Sequence, residues 1–236
     1  MIRISFGMTV ALGLALGTSA LGVASAVASP VQPGFYIGLN AGGSFESWQR
    51  KSGIYDCCGD FTHDTTDETG FAGGAQGGWN WISNGWLFGV EGDFDGTTNY
   101  KQRIPGTGII PHFDDTSEAA FRSPWLATVR GRVGFQIPTH SITLYATGGV
   151  AFSQVDYEIN DHSGSFTDSK TMTGWTAGLG AEMPISNEVS VKVEYLYVDL
   201  GSKTFSPTGS TGTVSGYASD IRPTDSEVRL GFNWHF

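Results

Sequence analysis

The sequence is poor in the features that mark a soluble enzyme or a nucleic-acid binder. Lys and Arg number 13 against 23 Asp and Glu, and no basic stripe is present to neutralise phosphates, so nucleic-acid binding is excluded. The two cysteines are neighbours, Cys57-Cys58, which leaves no multi-bridge framework. Five histidines are scattered as His63, His112, His140, His162 and His235. None stands with a serine and an acid at recognisable spacing on one strand face, so no catalytic set is expected. The Gly-rich stretches precede no helix and are not phosphate loops. Beyond residue 28 no uninterrupted apolar run could cross a bilayer as a helix. What the chain has instead is glycine, at 34 residues, aromatics, at 13%, and a mean hydropathy close to zero.

The N-terminus reads as a secretory signal over residues 1–28. Arg3 supplies a positive charge, an apolar stretch runs from Met8 to about Val23, and Ala26-Val27-Ala28 gives a small-x-small cleavage site before Ser29. A retained transmembrane helix is the less favoured reading, because the run is short, Gly/Ala-rich and lacks charged stop-transfer residues. No Cys follows it, so a lipid anchor is not expected. Removing this segment takes away Arg3 and no acid, leaving 12 Lys+Arg against 23 Asp+Glu, a net −11 for residues 29–236. That length suits one domain.

A period of two runs through those residues. At the C-terminus Val228, Leu230, Phe232, Trp234 and Phe236 share one face, while Arg229, Gly231, Asn233 and His235 share the other. Trp125 to Phe135, Ile142 to Phe152, Trp175 to Met183, Val189 to Tyr197 and Trp86 to Phe94 alternate likewise, and Phe35–Phe45 and Phe71–Trp81 add two Gly-rich strands. Eight strands result. The gaps between them run long, short, long, short: Ser47–Glu68, Ile82–Gly85, Thr98–Ser123, Pro138–His140, Tyr157–Lys170, Pro184–Asn187 and Gly201–Thr224. Short gaps carry turn formers such as Asn84-Gly85.

Long loops at one end and tight turns at the other is the layout of an all-β, eight-stranded, antiparallel up-and-down transmembrane β-barrel of the OmpA transmembrane-domain type. The sheet must close, since lipid offers no partner to an edge N–H or C=O. Trp79, Trp81, Trp86, Trp234 and Phe236 fall near the tight-turn ends, and Trp125 and Tyr197 near the opposite rim, as interfacial aromatics do. A soluble sandwich or lipocalin-like barrel would bury the apolar face instead. The other face is too charged and Gly-rich for a water-exposed sheet, so the membrane reading is preferred. It places the protein in the outer membrane of a Gram-negative bacterium, with long loops outside the cell and both mature termini in the periplasm.

Several strands carry a family resemblance. Thr128–Phe135 (TVRGRVGF), Leu144–Phe152 (LYATGGVAF), Gly174–Glu182 (GWTAGLGAE), Val193–Leu200 (VEYLYVDL) and Phe88–Phe94 (FGVEGDF) resemble strands of the Omp25/Omp31-type outer-membrane β-barrel family of alphaproteobacteria. The resemblance spans essentially residues 29–236 and implies a porin-like barrel without a defined substrate. The terminal Phe236, with Val228, Leu230, Phe232 and Trp234, is similar to the aromatic C-terminal signal read by the outer-membrane insertion machinery. The Cys57-Cys58 pair departs from the family's cysteine-poor pattern. A vicinal disulfide, an intermolecular bridge and two free thiols are all compatible with it, although adjacent residues lie closer than an ordinary disulfide favours.

The inward face of such a barrel carries Arg130, Arg132, Lys192 and Arg229 beside Glu91, Asp93, Asp95, Glu182 and Glu194. An eight-stranded barrel is just wide enough for side chains to fill, and charges at that depth must be paired. A salt-bridge plug is the expectation. A charged constriction is the alternative, since inward Gly134, Gly149, Gly178, Gly180 and Gly231 could leave room for water. The histidines are expected to be solvated, and metal binding by His63 with Asp60 and Asp64 is less favoured than simple solvated charge. No cofactor and no metal is expected. Expected partners are outer-membrane lipid, lipopolysaccharide and the insertion machinery, with a monomer as the simplest state. The leading function is envelope integrity, followed by a narrow channel for small solutes and by surface recognition through the long loops.

Overall fold

The computed structural model describes residues 31–52, 63–98, 104–105, 118–161, 164–206, 208–209, 212–213 and 219–236. Residues 1–28, Cys57, Cys58, Asp60, His112 and His162 lie outside them. Eight long strands form the body: β1 Gly34–Ser52, β2 His63–Ser83, β3 Trp86–Thr97, β4 Trp125–Ile137, β5 Ile142–Asp161, β6 Gly164–Pro184, β7 Val189–Asp199 and β8 Ser219–His235. Each pairs antiparallel with its neighbours in sequence. The ring closes through β1 and β8, in register from Tyr36↔His235 to Ser52↔Ser219. The expected eight-stranded up-and-down barrel is therefore present. No helix among the described residues is long and apolar enough to cross a membrane.

Local chemistry sets the short connections. Asn84 and Gly85 both have positive φ, 51° and 81°, the backbone of a two-residue primed turn whose twist matches the flanking strands. Chain ends and tight turns share one end of the barrel, where Phe236 N donates to Phe35 O at 3.0 Å. Alternation then decides the facing. Outward Leu39, Phe71, Leu179, Leu230 and Phe236 are 59–74% exposed, while inward neighbours such as Asn40, Glu182 and Arg229 are buried.

Close strand packing leaves no room for a side chain at Gly149. A Cβ there would press into Val129 O and lie 2.7 Å from Arg130 Cα. Backbone cannot yield as a flexible side chain can, so Gly149→Ala is expected to destabilise the barrel by about 1–3 kcal/mol, read as a shifted denaturant midpoint.

The long gaps are not loops throughout. β1 continues to Ser52 and β2 starts at His63, and these residues remain paired to Lys51↔His63. β5 and β6 stay in register from Tyr157↔Asp168 to Asp161↔Gly164, so the segment assigned to a loop at Tyr157–Lys170 is a hairpin. A short strand, Glu118–Arg122, extends the sheet by pairing with β5, and Lys203–Phe205 pairs with β8. The inner side of this extension holds an apolar core of buried aromatics and aliphatics, including Trp48, Phe121, Tyr157, Phe166, Phe205 and Ile221. Phe121 and Tyr157 stack at 4.9 Å, and Trp48 stacks on Phe121 at 5.5 Å. All six lie in stretches read from sequence as hydrophilic loops.

Candidate functional site: the charged lumen

The nine charged residues expected to face inward meet in one layer, contributed by β3, β4, β6, β7 and β8, and all are buried. Arg130 bridges three acids: its Nη2 donates to Glu91 Oε1 and Asp93 Oδ2 at 2.6 Å each, and its Nη1 to Glu194 Oε1 at 2.9 Å. Arg229 donates to Asp95 Oδ2 at 2.7 Å and Glu194 Oε1 at 2.6 Å. Lys192 Nζ lies 2.9 Å from both oxygens of Glu91. Arg132 donates to Glu182 Oε2 and to Tyr36 Oη, each at 2.7 Å. Its guanidinium also sits 4.1 Å from the centroid of the Tyr145 ring, a desolvated cation–π contact. Ladder register explains the layer, because Glu91↔Arg130, Arg229↔Glu194 and Glu182↔Lys192 are direct cross-strand partners.

Neutral side chains complete the network. Tyr36 Oη donates to Glu91 Oε2 at 2.6 Å and Tyr145 Oη to Glu194 Oε2 at 2.9 Å. Parity in the sequence places both tyrosines inward, yet only the fold shows that they cap carboxylates. Glu227 is a further buried acid of this face, 3.5 Å from Arg229 Nη1. It shares parity with Arg229, one step beyond where the C-terminal alternation was traced.

Neighbouring side chains stand over several of the inward glycines. A Cβ on Gly180 would collide with the Tyr145 ring, and on Gly231 it would lie 2.9 Å from Lys192 Cγ. On Gly178 it would lie 3.0 Å from Leu196 Cδ1. At Gly180 and Gly231 the room beside the glycine is thus occupied by Tyr145 and Lys192.

Toward the tight turns, Ser190, Glu182 and His235 come together across β6, β7 and β8. Ser190 Oγ donates to Glu182 Oε1 at 2.5 Å and lies 2.9 Å from His235 Nε2. Sequence spacing hid this trio, and His235 is buried rather than solvated, because it closes the last inward position of β8. His140 is exposed in its turn, as expected. The acid sits on the serine side of the imidazole, and His235 Nδ1 has no partner among the described residues. A nucleophile–base–acid relay needs the acid on the far nitrogen, so the order is wrong for one. Below the trio, Gln136 Nε2 donates to the carbonyl of buried Val31 at 2.8 Å. No group of three or more His, Cys, Asp or Glu placed to hold a metal occurs among the described residues.

The polarity pattern inverts along the strands. On β5, Leu144 and Val150 point outward, but Val155 and Tyr157 point inward while Gln154, Asp156 and Glu158 point out. β1 switches between outward Phe45 and inward Trp48, and β8 between outward Val228 and inward Ile221. At the switch Phe94 stacks on Trp125 at 5.7 Å and Trp175 meets Tyr197 at 5.5 Å. An outside medium that changes from hydrocarbon to water demands this inversion, with aromatics at the boundary.

Comparison with known proteins agrees with this geometry. Residues 12–236 match the family profile of the outer membrane protein beta-barrel domain. The chain is 33% identical to the 31 kDa outer-membrane immunogenic protein of Brucella melitensis, over 86% of this chain and 83% of that protein. It is 31% identical to the 22 kDa outer membrane protein of Rhizobium leguminosarum, over 75% and 71% respectively. Among solved structures, OprG of Pseudomonas aeruginosa overlays with a TM-score of 0.50 at 10% identity, covering 88% of this chain and 99% of that one, which supports the fold alone. An eight-stranded ring, its inverted polarity and a profile match over nearly its whole length establish that the chain belongs to the outer-membrane β-barrel family and is a protein of the bacterial outer membrane.

Proposed function

We propose that this barrel is a structural, non-conducting component of the envelope, anchored with its extended loop end outside the cell and its tight turns in the periplasm. The observation that carries the reading is the filled lumen: charged side chains of the central layer have no exposure and pair with one another, and an apolar core lies beyond them. A conducting path would need hydrated charges along its wall. The trio at Ser190 lacks the order needed for hydrolysis, in keeping with a protein that is not an enzyme. The outward residues from Val228 to Phe236, along β8 and just past its end, are 49–71% exposed and are available to the insertion machinery and to lipid.

The purified protein in a planar bilayer is expected to show no discrete conductance steps. Reproducible steps that change on Arg130→Gln would overturn the closed lumen. A second reading, surface recognition, is favoured by the loop-end extension. Five strands run 17–21 residues, whereas a span needs roughly 9–11. The aromatic core would make this extension a rigid platform, in keeping with relatives named as immunogenic outer-membrane proteins.

A further inference from the structure

We infer that a groove on the outer wall of the barrel seats one acyl chain of a phospholipid whose headgroup carries an ammonium, set beside Glu188. The groove has a volume of about 640 Å³, and its walls are two ridges made by the register. Leu39 pairs with Phe232 and Ile37 with Trp234, and all four point outward, 48–67% exposed. The floor is strand backbone at Gly38, Gln76 and Asn233, and the last two turn buried side chains to the lumen. Both ridges stop at β2, because the residues beside Leu39 and Ile37 are Ala75 and Gly77. At β7 the groove ends on Val189.

Register gives its depth. Cross-strand partners lead from Val189, the first residue of β7, to Trp234, Ile37 and Gly77, then on around the barrel to Trp175 and Asp199, the last residue of β7. One circuit thus climbs from the tight-turn rim to the switch in polarity, as the tilt of barrel strands requires. The groove covers the first three steps of that climb, so it starts at the rim and stops short of mid-depth. Three interstrand spacings of about 4.8 Å give a length of roughly 14 Å, close to the roughly 15 Å of hydrocarbon in one leaflet. The ridges stand two residues apart, about 6.8 Å, so a single chain touches the floor and both walls and gains dispersion contacts that a smooth wall does not offer.

Position and charge name the occupant. The groove is continuous with the apolar wall that meets the membrane, so hydrocarbon covers it. Among the described residues the tight-turn connections carry no Lys or Arg, and Glu188, exposed and next to Val189, stands at the groove's mouth. Glu188 O accepts from His235 N at 2.7 Å, which fixes this turn against the strand that bears Trp234. The cations Arg122, Lys170, Lys203 and Arg222 reach solvent at the opposite, loop-end extension. An ammonium therefore meets a carboxylate at this rim, whereas a purely anionic headgroup meets repulsion.

The test offers the full-length protein, in detergent micelles, dioleoyl phosphatidylethanolamine or dioleoyl phosphatidylglycerol, and counts retained lipid by native mass spectrometry. One phosphatidylethanolamine per barrel is expected, held roughly two- to fivefold more tightly than phosphatidylglycerol, the factor that an exposed ion pair supplies. Glu188→Gln should remove the preference. Ile37→Trp with Ala75→Phe fills the groove with apolar side chains and should abolish retention, while Val150→Phe, outward on β5 and away from the groove, should not. No retained lipid, equal retention of the two lipids by the wild type, or undiminished retention in the filled variant would each overturn the inference. So would a dimer that the filled variant breaks apart, which would give the groove to a second copy. Should the filled variant fail to insert, the loss or persistence of the preference in Glu188→Gln decides.

Discussion

Replacing Arg130 by methionine is expected to cost the barrel about 3–5 kcal/mol, measured as a shift of the urea unfolding midpoint in lipid vesicles. The guanidinium holds Glu91, Asp93 and Glu194 at 2.6–2.9 Å, and all four side chains have no exposure. Methionine has similar volume, so the loss is electrostatic rather than a cavity effect. It leaves three carboxylates facing one another, with Lys192, Arg229 and, 3.5 Å from Glu91, Arg132 to compensate in part. Adding Glu194→Gln to the variant removes one of the stranded charges and should recover part of the loss, a non-additivity expected of side chains that share a network. A cost below about 1 kcal/mol would mean that Arg130 is hydrated, as exposed pairs are. The lumen would then be wet, and the closed-barrel reading would fall with it.

The second large effect is on the opposite face of the wall. Val193→Arg is expected to destabilise the barrel by roughly 2–4 kcal/mol, because a charge in the hydrocarbon midplane finds no partner. Val193 points outward between Leu230 and Ala181 on the neighbouring strands, where every exposed neighbour is apolar or small. Ser169→Arg on β6 also points outward and is exposed, but it lies beyond the switch in polarity. It should cost no more than about 0–1 kcal/mol. The difference between two outward positions on adjoining strands measures where the membrane ends. Equal tolerance at both would show that the switch does not mark the boundary.

The difference between these two sites also explains what could be read from the chain and what could not. Alternation such as Val228-Arg229-Leu230 fixes which residues share a face, because the side-chain period of a strand is two. Asn84-Gly85 fixes a tight turn for reasons of backbone conformation. Together they determine an eight-stranded barrel, its closure and the nine inward charges. The stretch from Val155 to Phe166 misled for a physical reason. Where the surroundings change from lipid to water the apolar face moves from outside to inside, and Tyr157 and Phe166 then look like stray aromatics in a polar loop.

Pairings were beyond sequence for a different reason. Register makes Glu91 and Arg130 neighbours, yet Arg130 also reaches Glu194 across the lumen, from a strand 64 residues away. Only the curvature of a closed ring brings those walls within hydrogen-bond distance. The same curvature assembles Ser190, Glu182 and His235, and lays Tyr145 over Gly180 to fill space that glycines would otherwise leave open. The sequence by itself determined the strands, their facing and the sealed sheet, since these follow from periodicity and from the need to satisfy every backbone group in lipid. Tertiary structure alone decided who pairs with whom in the lumen and that the loop end is a packed extension, because both depend on distances across the barrel that no local pattern encodes.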